Sequence, residues 1–461
     1  MRGLALFAAF FSALPIALVF PFIGLLVWAW FAFMSPHRET FGITYDDFQF
    51  NLYIAVVTLT AWLFSNEPKR IPLSAFTIFL GAFAIWTSIT TYFALDHEHA
   101  YALWDRHIRS VLLALMVAAL ASSKVRIQAM IWIICISLGY IAVKGAGFIF
   151  WTGGAYRVFG PPQSSISDNN NLSLALVITM PLMTYLIQTS RLWFVKAACG
   201  LVGLLSIVTV VGTYSRGGFL GLLAVGLAFF FMSRRKLAIL TTALAFLVLL
   251  PQIMPAGWYD RMATIEGYEQ DPSVVGRFAA WSVSWNLAQD RPLVGGGFSA
   301  VENDDVYIRY RTVGGETHGT AAHSIYFQVL GDHGFAGLFL YLAMLSTPLF
   351  YSLRVVRLTR DHPELRWATT LARTLQVSFI GFVVAGAALS MAYYDVFLTY
   401  AALAFSLDRL VRRALFPADA ENEEGVFAPR AIGGLLPARA WQKRPGNAAI
   451  KAKMASDQSQ K

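Results

Sequence analysis

Long, unbroken apolar blocks alternate with short polar connections along this chain. The blocks fall at 48–65, 73–93, 108–122, 127–150, 171–189, 197–214, 217–232, 237–254, 335–353, 374–391 and 394–411. Most approach the roughly 20 residues that a helix needs to cross a hydrocarbon core. Backbone groups in lipid must be satisfied internally, which leaves helices or closed barrels. The runs are continuous rather than alternating in polarity, and this selects helices. Residues 1–34 add one kinked span or two short ones, with Pro15 and Pro21 as break points. The pattern predicts an all-α, polytopic membrane bundle of about 12 transmembrane helices.

One segment interrupts the alternation. Residues 255–322 read as a large loop with short interfacial helices. It divides the chain into N-terminal transmembrane helices at 1–254, the loop itself, and C-terminal transmembrane helices at 323–411. A tail at 412–461 follows, mixing Glu421, Glu423 and Glu424 with later Arg, Lys, Pro, Gly and Ser. It has no apolar period and reads as a disordered cytoplasmic extension.

Composition agrees with the pattern. Hydrophobic residues make up 57% and charged residues 14% of the 461 positions, against about 25% charged in soluble domains. The net charge of +9 lies in the tail and in short loops, so nucleic-acid binding is a poor reading. The basic loops are Lys69-Arg70, Lys124 to Arg126, Arg191 to Lys196, Arg234 to Lys236, Arg354 to Arg373, and the tail from Arg409. With these spans all fall on one side, the cytoplasmic one under the positive-inside rule. Residues 35–47, 94–107, 151–170, the turn at Ser215-Arg216 and the 255–322 loop then face away from the cytoplasm. Cys135 and Cys199 each lie inside an apolar block and read as packing residues. Arg2 and the run after it resemble a secretory signal, but apolar sequence continues to Met34 without a small-x-small cleavage site, so the segment reads as retained.

Three constellations on that far side carry candidate chemistry. The first is Thr213-Tyr-Ser215-Arg216-Gly217-Gly218. An arginine near hydrocarbon is costly and usually has a partner or a task, and paired glycines allow close approach; an interfacial, snorkelling arginine is the plainer alternative. The second is Asp271-Pro272 through Gly276-Arg277-Phe-Ala-Ala-Trp281 to Trp285. Asp271 caps a helix there, Pro272 opens it, and Arg291-Pro292 marks its far end. Arg277, Trp281 and Trp285 share a face, which places the helix on the bilayer with Arg277 at headgroup level. The alternative is a surface-anchoring helix for bulk phospholipid.

The third runs from His318 through Thr320-Ala-Ala-His323-Ser324 to Asp332-His333-Gly334. Thr320 is expected to cap a helix beginning at Ala321. That places His323 in the first turn, where the helix dipole keeps imidazole neutral, as a general base requires. The loop holds Arg261, Arg277, Arg291, Arg309 and Arg311 and no lysine; the guanidinium fork suits phosphate oxygens. Asp168-Asn169-Asn170 opens a span as a cap or a sugar contact, and Lys144 near a span end snorkels or meets phosphate. Asp96-His-Glu-His99 and the His318/His323 spacing are weak metal signals, and no metal or cofactor is expected.

Several of these stretches together resemble the O-antigen ligase and polymerase superfamily. They are Tyr214-Ser-Arg216-Gly-Gly, Gly276-Arg277-Phe-Ala-Ala-Trp281, Arg291-Pro-Leu-Val-Gly-Gly-Gly297 and His323-Ser-Ile-Tyr-Phe-Gln-Val-Leu-Gly-Asp332-His-Gly. The start, Phe22 to Trp30 and Ser35 to Arg38, with Gly160-Pro-Pro and Asp168-Asn-Asn170, is similar to the O-glycosylation ligase branch associated with exosortase A systems. The resemblance covers residues 1 to 411. It implies a metal-independent, membrane-embedded glycosyltransferase, expected in the bacterial inner membrane with a periplasmic active-site loop; an inverting transfer is the expected course. The donor is a glycan on undecaprenyl pyrophosphate; the acceptor is a protein, lipid or glycan. It further implies that Arg216 and Arg277 hold the pyrophosphate and His323 activates the acceptor. Asp332, where relatives often carry Glu, is a candidate for a supporting role, and Trp281, Lys144, Asp168 and Asn169 are further candidates from the residue pattern. A polymerase joining lipid-linked repeat units remains open within the same superfamily. A transporter of lipid-linked glycan, or a non-catalytic scaffold, is the reading from another class. The absence of an internal repeat weighs against the transporter.

Overall fold

Pro21 divides the first apolar block. In the computed structural model, which describes residues 2–39, 48–233, 272–312, 318–417 and scattered positions between 236 and 248, α1 spans Arg2–Val19 and α2 spans Pro21–Met34. Pro21 sits at the first position of α2, where a missing N–H costs nothing. Pro15 stays inside α1, so the second expected break does not occur. The expected cap at Asp271, most of the span at 237–254, Arg234, Arg235, Arg261 and the tail beyond residue 417 lie outside the described residues.

The next helices follow the apolar blocks: α3 (Phe50–Phe64), α4 (Ala75–Tyr92), α5 (His97–Leu120), α6 (Lys124–Thr152), α7 (Asn169–Thr189), α8 (Trp193–Gly212) and α9 (Arg216–Met232). Helix α5 departs from expectation. Its first turns occupy residues assigned to a loop at 94–107, because Asp96 caps the helix by accepting from the His99 N–H at 3.2 Å. The polar stretch from His97 to Arg109 continues the helix without continuing the apolar pattern. Ser74, Ser123, Asp168 and Ser215 cap α4, α6, α7 and α9 in the same way.

After the undescribed stretch come α10 (Pro272–Asp290), the short α11 (Asp304–Tyr310), α12 (Ile325–Leu358), α13 (Arg366–Gly386) and α14 (Asp395–Leu415). No strand occurs among the described residues. Six of the described helices are long and apolar enough to cross a membrane, and four shorter ones are apolar; the chain is a helical, multi-pass membrane protein. Helix α7 is buried over most of its circumference between α8, α9 and α13, as an all-round apolar helix should be. Helix α14 packs against α5 and α12, with Tyr400 Oη 3.1 Å from Thr179 Oγ1 of α7. Arg354 on α12 meets the buried Asp408 on α14, with Nε 2.6 Å from Oδ1, as a charge entering the bundle should. Arg126, from one of the basic loops, pairs with Glu67, whose carboxyl this bond holds below its usual range.

Helix α12 is two pieces. Gly334 has φ 67° and ψ −170°, which breaks the helix after His333. The expected span at 335–353 is the second piece; Ile325 to His333 is a separate lead-in. The Gly295-Gly-Gly297 turn docks in the break: Gly296 and Gly297 N–H groups donate to the Gly331 and Asp332 carbonyls at 2.9 and 2.8 Å, and Phe335 N–H donates to Pro292 O at 2.8 Å. A Cβ on Gly295 (φ +60°) would lie 2.6 Å from the Gly331 carbonyl oxygen. Gly295→Ala should therefore destabilise the protein by on the order of 1–3 kcal/mol, seen as a lower unfolding midpoint in detergent. Gly226→Ala, where nothing lies within 4 Å, should leave that midpoint unchanged.

Candidate functional site

The start of α7 and the turn before α9 are bonded together. Asp168 caps α7 by accepting from Asn170 N–H at 2.8 Å. The Asn169 side-chain amide donates to Thr213 O at 2.7 Å, and the Ser215 hydroxyl donates to Asn170 Oδ1 at 2.7 Å. Ser215 Oγ in turn accepts from Gly218 N–H at 3.1 Å. These bonds set Arg216 in the first turn of α9, at the positive end of the helix dipole, where anions are favoured. Gly218 lets this turn close on α7, since a Cβ there would meet Ser173 Oγ at 2.4 Å. The Asp168–Asn169 pair thus acts on the backbone that carries Arg216.

Arg277 and Trp281 come from α10, which packs along α12. The Trp281 indole N–H donates to Ala322 O at 2.7 Å, and its ring stacks on Phe327 with centroids 4.9 Å apart. Trp285 meets the edge of Phe335 at 5.6 Å. On the shared Arg277–Trp281–Trp285 face, Trp281 turns toward the protein as a strut beneath the histidine loop, while Trp285 stays exposed beside Phe335.

His323 lies just outside α12. That helix begins at Ile325 with Ser324 in the cap position, so Thr320 is no cap and His323 is not in a helical first turn. Instead it takes φ +47°, and its N–H donates to Ser390 Oγ at 2.7 Å. The expected helix at Ala321 fails because the left-handed residue at 323 cannot continue a right-handed helix. Burial holds the imidazole below the ordinary histidine range; the Arg277 guanidinium pushes it lower, while the Asp168 carboxylate pulls the other way. The neutral form is favoured by burial and a neighbouring cation, and not by the helix position invoked from sequence.

The remaining predicted residues separate from this group. Asp332 lies about two turns into α12, just before the break at Gly334. It accepts from Tyr393 Oη at 2.8 Å and from the backbone of Ser299 and Ala300, which makes it the fastener of the glycine-rich turn. Lys144 on α6 pairs with Glu39, and none of its bonds reaches His323 or the two arginines. Ser390 and Leu389 carried no local signal. Ser390 stands at the end of an apolar block between alanine, leucine and methionine, and only the folded chain brings it to His323. Among the described residues no cluster of three His, Cys, Asp or Glu side chains could hold a metal ion. A shallow apolar groove of 520 Å³ on α4, lined by Ile85, Ser88, Ile89, Tyr92 and Phe93, contains none of these residues.

The region with Arg216, Arg277, Trp281 and His323 is also the region that resembles known proteins. Residues 201–342 match the O-antigen ligase family. Residues 1–191, which supply Asp168 and Asn169, match a family described as of unknown function. No curated protein matches the chain. The O-antigen ligase match supports a membrane glycosyltransferase of the ligase or polymerase type. Ser390 lies beyond both matched segments.

Proposed function

We propose that the chain transfers a glycan from an undecaprenyl-pyrophosphate carrier to an acceptor hydroxyl at the periplasmic face of the bacterial inner membrane. The observation that carries this reading is a half-buried His323 on a left-handed backbone, held by Ser390 and Trp281 through one peptide, within the segment that matches the O-antigen ligase family. His323 takes the acceptor proton as the acceptor oxygen attacks the anomeric carbon. The new carbon–oxygen bond forms as the bond to the pyrophosphate oxygen breaks, with inversion. Arg216, at a helix N-terminus, and Arg277 receive the charge that grows on the departing lipid pyrophosphate. The proton then leaves the imidazolium to water, and the products are the glycosylated acceptor and undecaprenyl pyrophosphate. Pyrophosphate leaves without protonation, so one base suffices.

The test is reconstitution of the purified protein in vesicles with lipid-linked glycan and candidate acceptors, measuring release of undecaprenyl pyrophosphate with and without chelator. No release with any acceptor, while binding of the donor persists, would remove the transferase reading. A product lengthened by lipid-linked repeat units would assign polymerisation in place of ligation.

The pH dependence follows from His323. The base works when neutral, so activity falls as pH drops through its pKa. That pKa is lowered by burial and Arg277, so the acidic limb of kcat/KM should lie below the ordinary histidine value of about 6.5. A limb at or above that value would contradict the assignment.

A further inference from the structure

Ser390 lies in the turn between α13 and α14, and its Oγ accepts the His323 N–H at 2.7 Å. The bond falls on a residue with φ +47°, a conformation that a side chain with a Cβ seldom takes unless its surroundings impose it. On the same peptide unit, Ala322 O accepts from Trp281 at 2.7 Å. Two elements, α10 and the α13–α14 turn, therefore hold the two polar ends of the peptide that leads into the His323 α-carbon. No helix does this work, because α12 begins only at Ile325.

The same turn reaches the other parts of the site. Leu389 fills the space beside Gly217, where a Cβ would meet Leu389 Cδ2 at 2.8 Å, so it abuts the residue after Arg216. Ala392 N–H donates to Gln328 Oε1 at 3.1 Å, and Tyr393 Oη donates to Asp332. Residues 389–393 thus brace α9 on one side and the first piece of α12 on the other.

We infer that Ser390 is a positioning residue: its hydroxyl oxygen fixes the left-handed backbone at His323 and so sets where the imidazole stands relative to Arg216 and Arg277. The inference rests on the proposed role of His323 as base. Group transfer is sensitive to such placement, since a displacement of about 1 Å can cost on the order of 100-fold in rate.

The experiment compares Ser390→Ala, Ser390→Thr and His323→Ala in reconstituted full-length protein, following undecaprenyl pyrophosphate release across pH together with the unfolding midpoint. Ser390→Ala should lower kcat by about 10- to 100-fold, with KM for the lipid-linked donor altered by less than about threefold. Its acidic limb should move to higher pH as the ring leaves its buried place beside Arg277. Ser390→Thr keeps the accepting oxygen and should recover most of kcat. An unchanged kcat in Ser390→Ala, with His323→Ala inactive, would overturn the positioning role and leave the base intact. Loss in both Ser390 variants with a lowered unfolding midpoint and an unmoved limb would reduce Ser390 to a structural residue and equally overturn it. Full activity of His323→Ala would instead strike the base reading itself.

Discussion

Replacing His323 with alanine is expected to lower glycan transfer by about 10²- to 10⁴-fold, the usual contribution of a general base. The protein should remain folded. The backbone N–H of His323 is hydrogen-bonded to Ser390, and any residue other than proline can make that bond. Arg277 and Asp168 act on the imidazole through charge. Alanine does carry a cost at φ +47°. His323→Gly removes the same ring without that cost and should be equally inactive. Release of undecaprenyl pyrophosphate, normalised to protein with an unchanged unfolding midpoint, measures both. Activity within threefold of the unsubstituted protein would exclude His323 as the base.

Residual transfer is also expected. The alanine variant keeps Arg216 at the start of α9 and Arg277 on α10, and stabilisation of the leaving pyrophosphate does not depend on who accepts the proton. The residual rate should therefore rise with added imidazole or with pH, as a small base from solution takes the vacated place. This separates loss of proton transfer from loss of donor binding, which no added base would restore.

Much of the scaffold was legible because membrane helices write themselves as apolar blocks. Pro21 and the Asp168 cap were readable from local chemistry. The failures are also local in origin. Helix α5 extends through His97 to Arg106, where polarity ended the apolar pattern but not the hydrogen-bonded helix. The start of α12 was placed too early because Thr320 is a good cap by type, whereas the left-handed turn at His323 is imposed by contacts from residues far along the chain.

The candidate residues were legible by type and the geometry was not. Arginine beside paired glycines points to an anion at any position, but only Ser173, opposite Gly218, explains why a side chain is excluded there. Trp281 was readable as an aromatic on the Arg277 face, and its use as a donor to Ala322 needed the folded loop. Ser390 is the extreme case: a serine ending an apolar block has no periodicity, charge or motif to mark it. Asp332 shows the other side. Its position in a recognisable stretch marked it as a supporting candidate, and only the fold shows its bonds to Tyr393 and the 299–300 backbone. Residues that act through shape or backbone contact leave little trace in composition; residues that act through charge leave a strong one.

The second large effect separates the two tasks of Arg277. It offers a planar fork to phosphate oxygens, and its charge lowers the His323 pKa. Arg277→Lys keeps the charge and loses the fork; Arg277→Gln loses both. Loss of a transition-state donor of this kind costs about 10²- to 10³-fold, so both variants should fall into that range for kcat. Their pH profiles should differ. With lysine the acidic limb should stay low, because a cation still disfavours the imidazolium. With glutamine the limb should move toward the ordinary histidine value of about 6.5, because burial alone then holds the ring neutral. Equal rates for lysine and arginine would mean that the site needs charge and not the guanidinium fork. A limb that stays put in the glutamine variant would mean that Arg277 and His323 do not share one site during transfer.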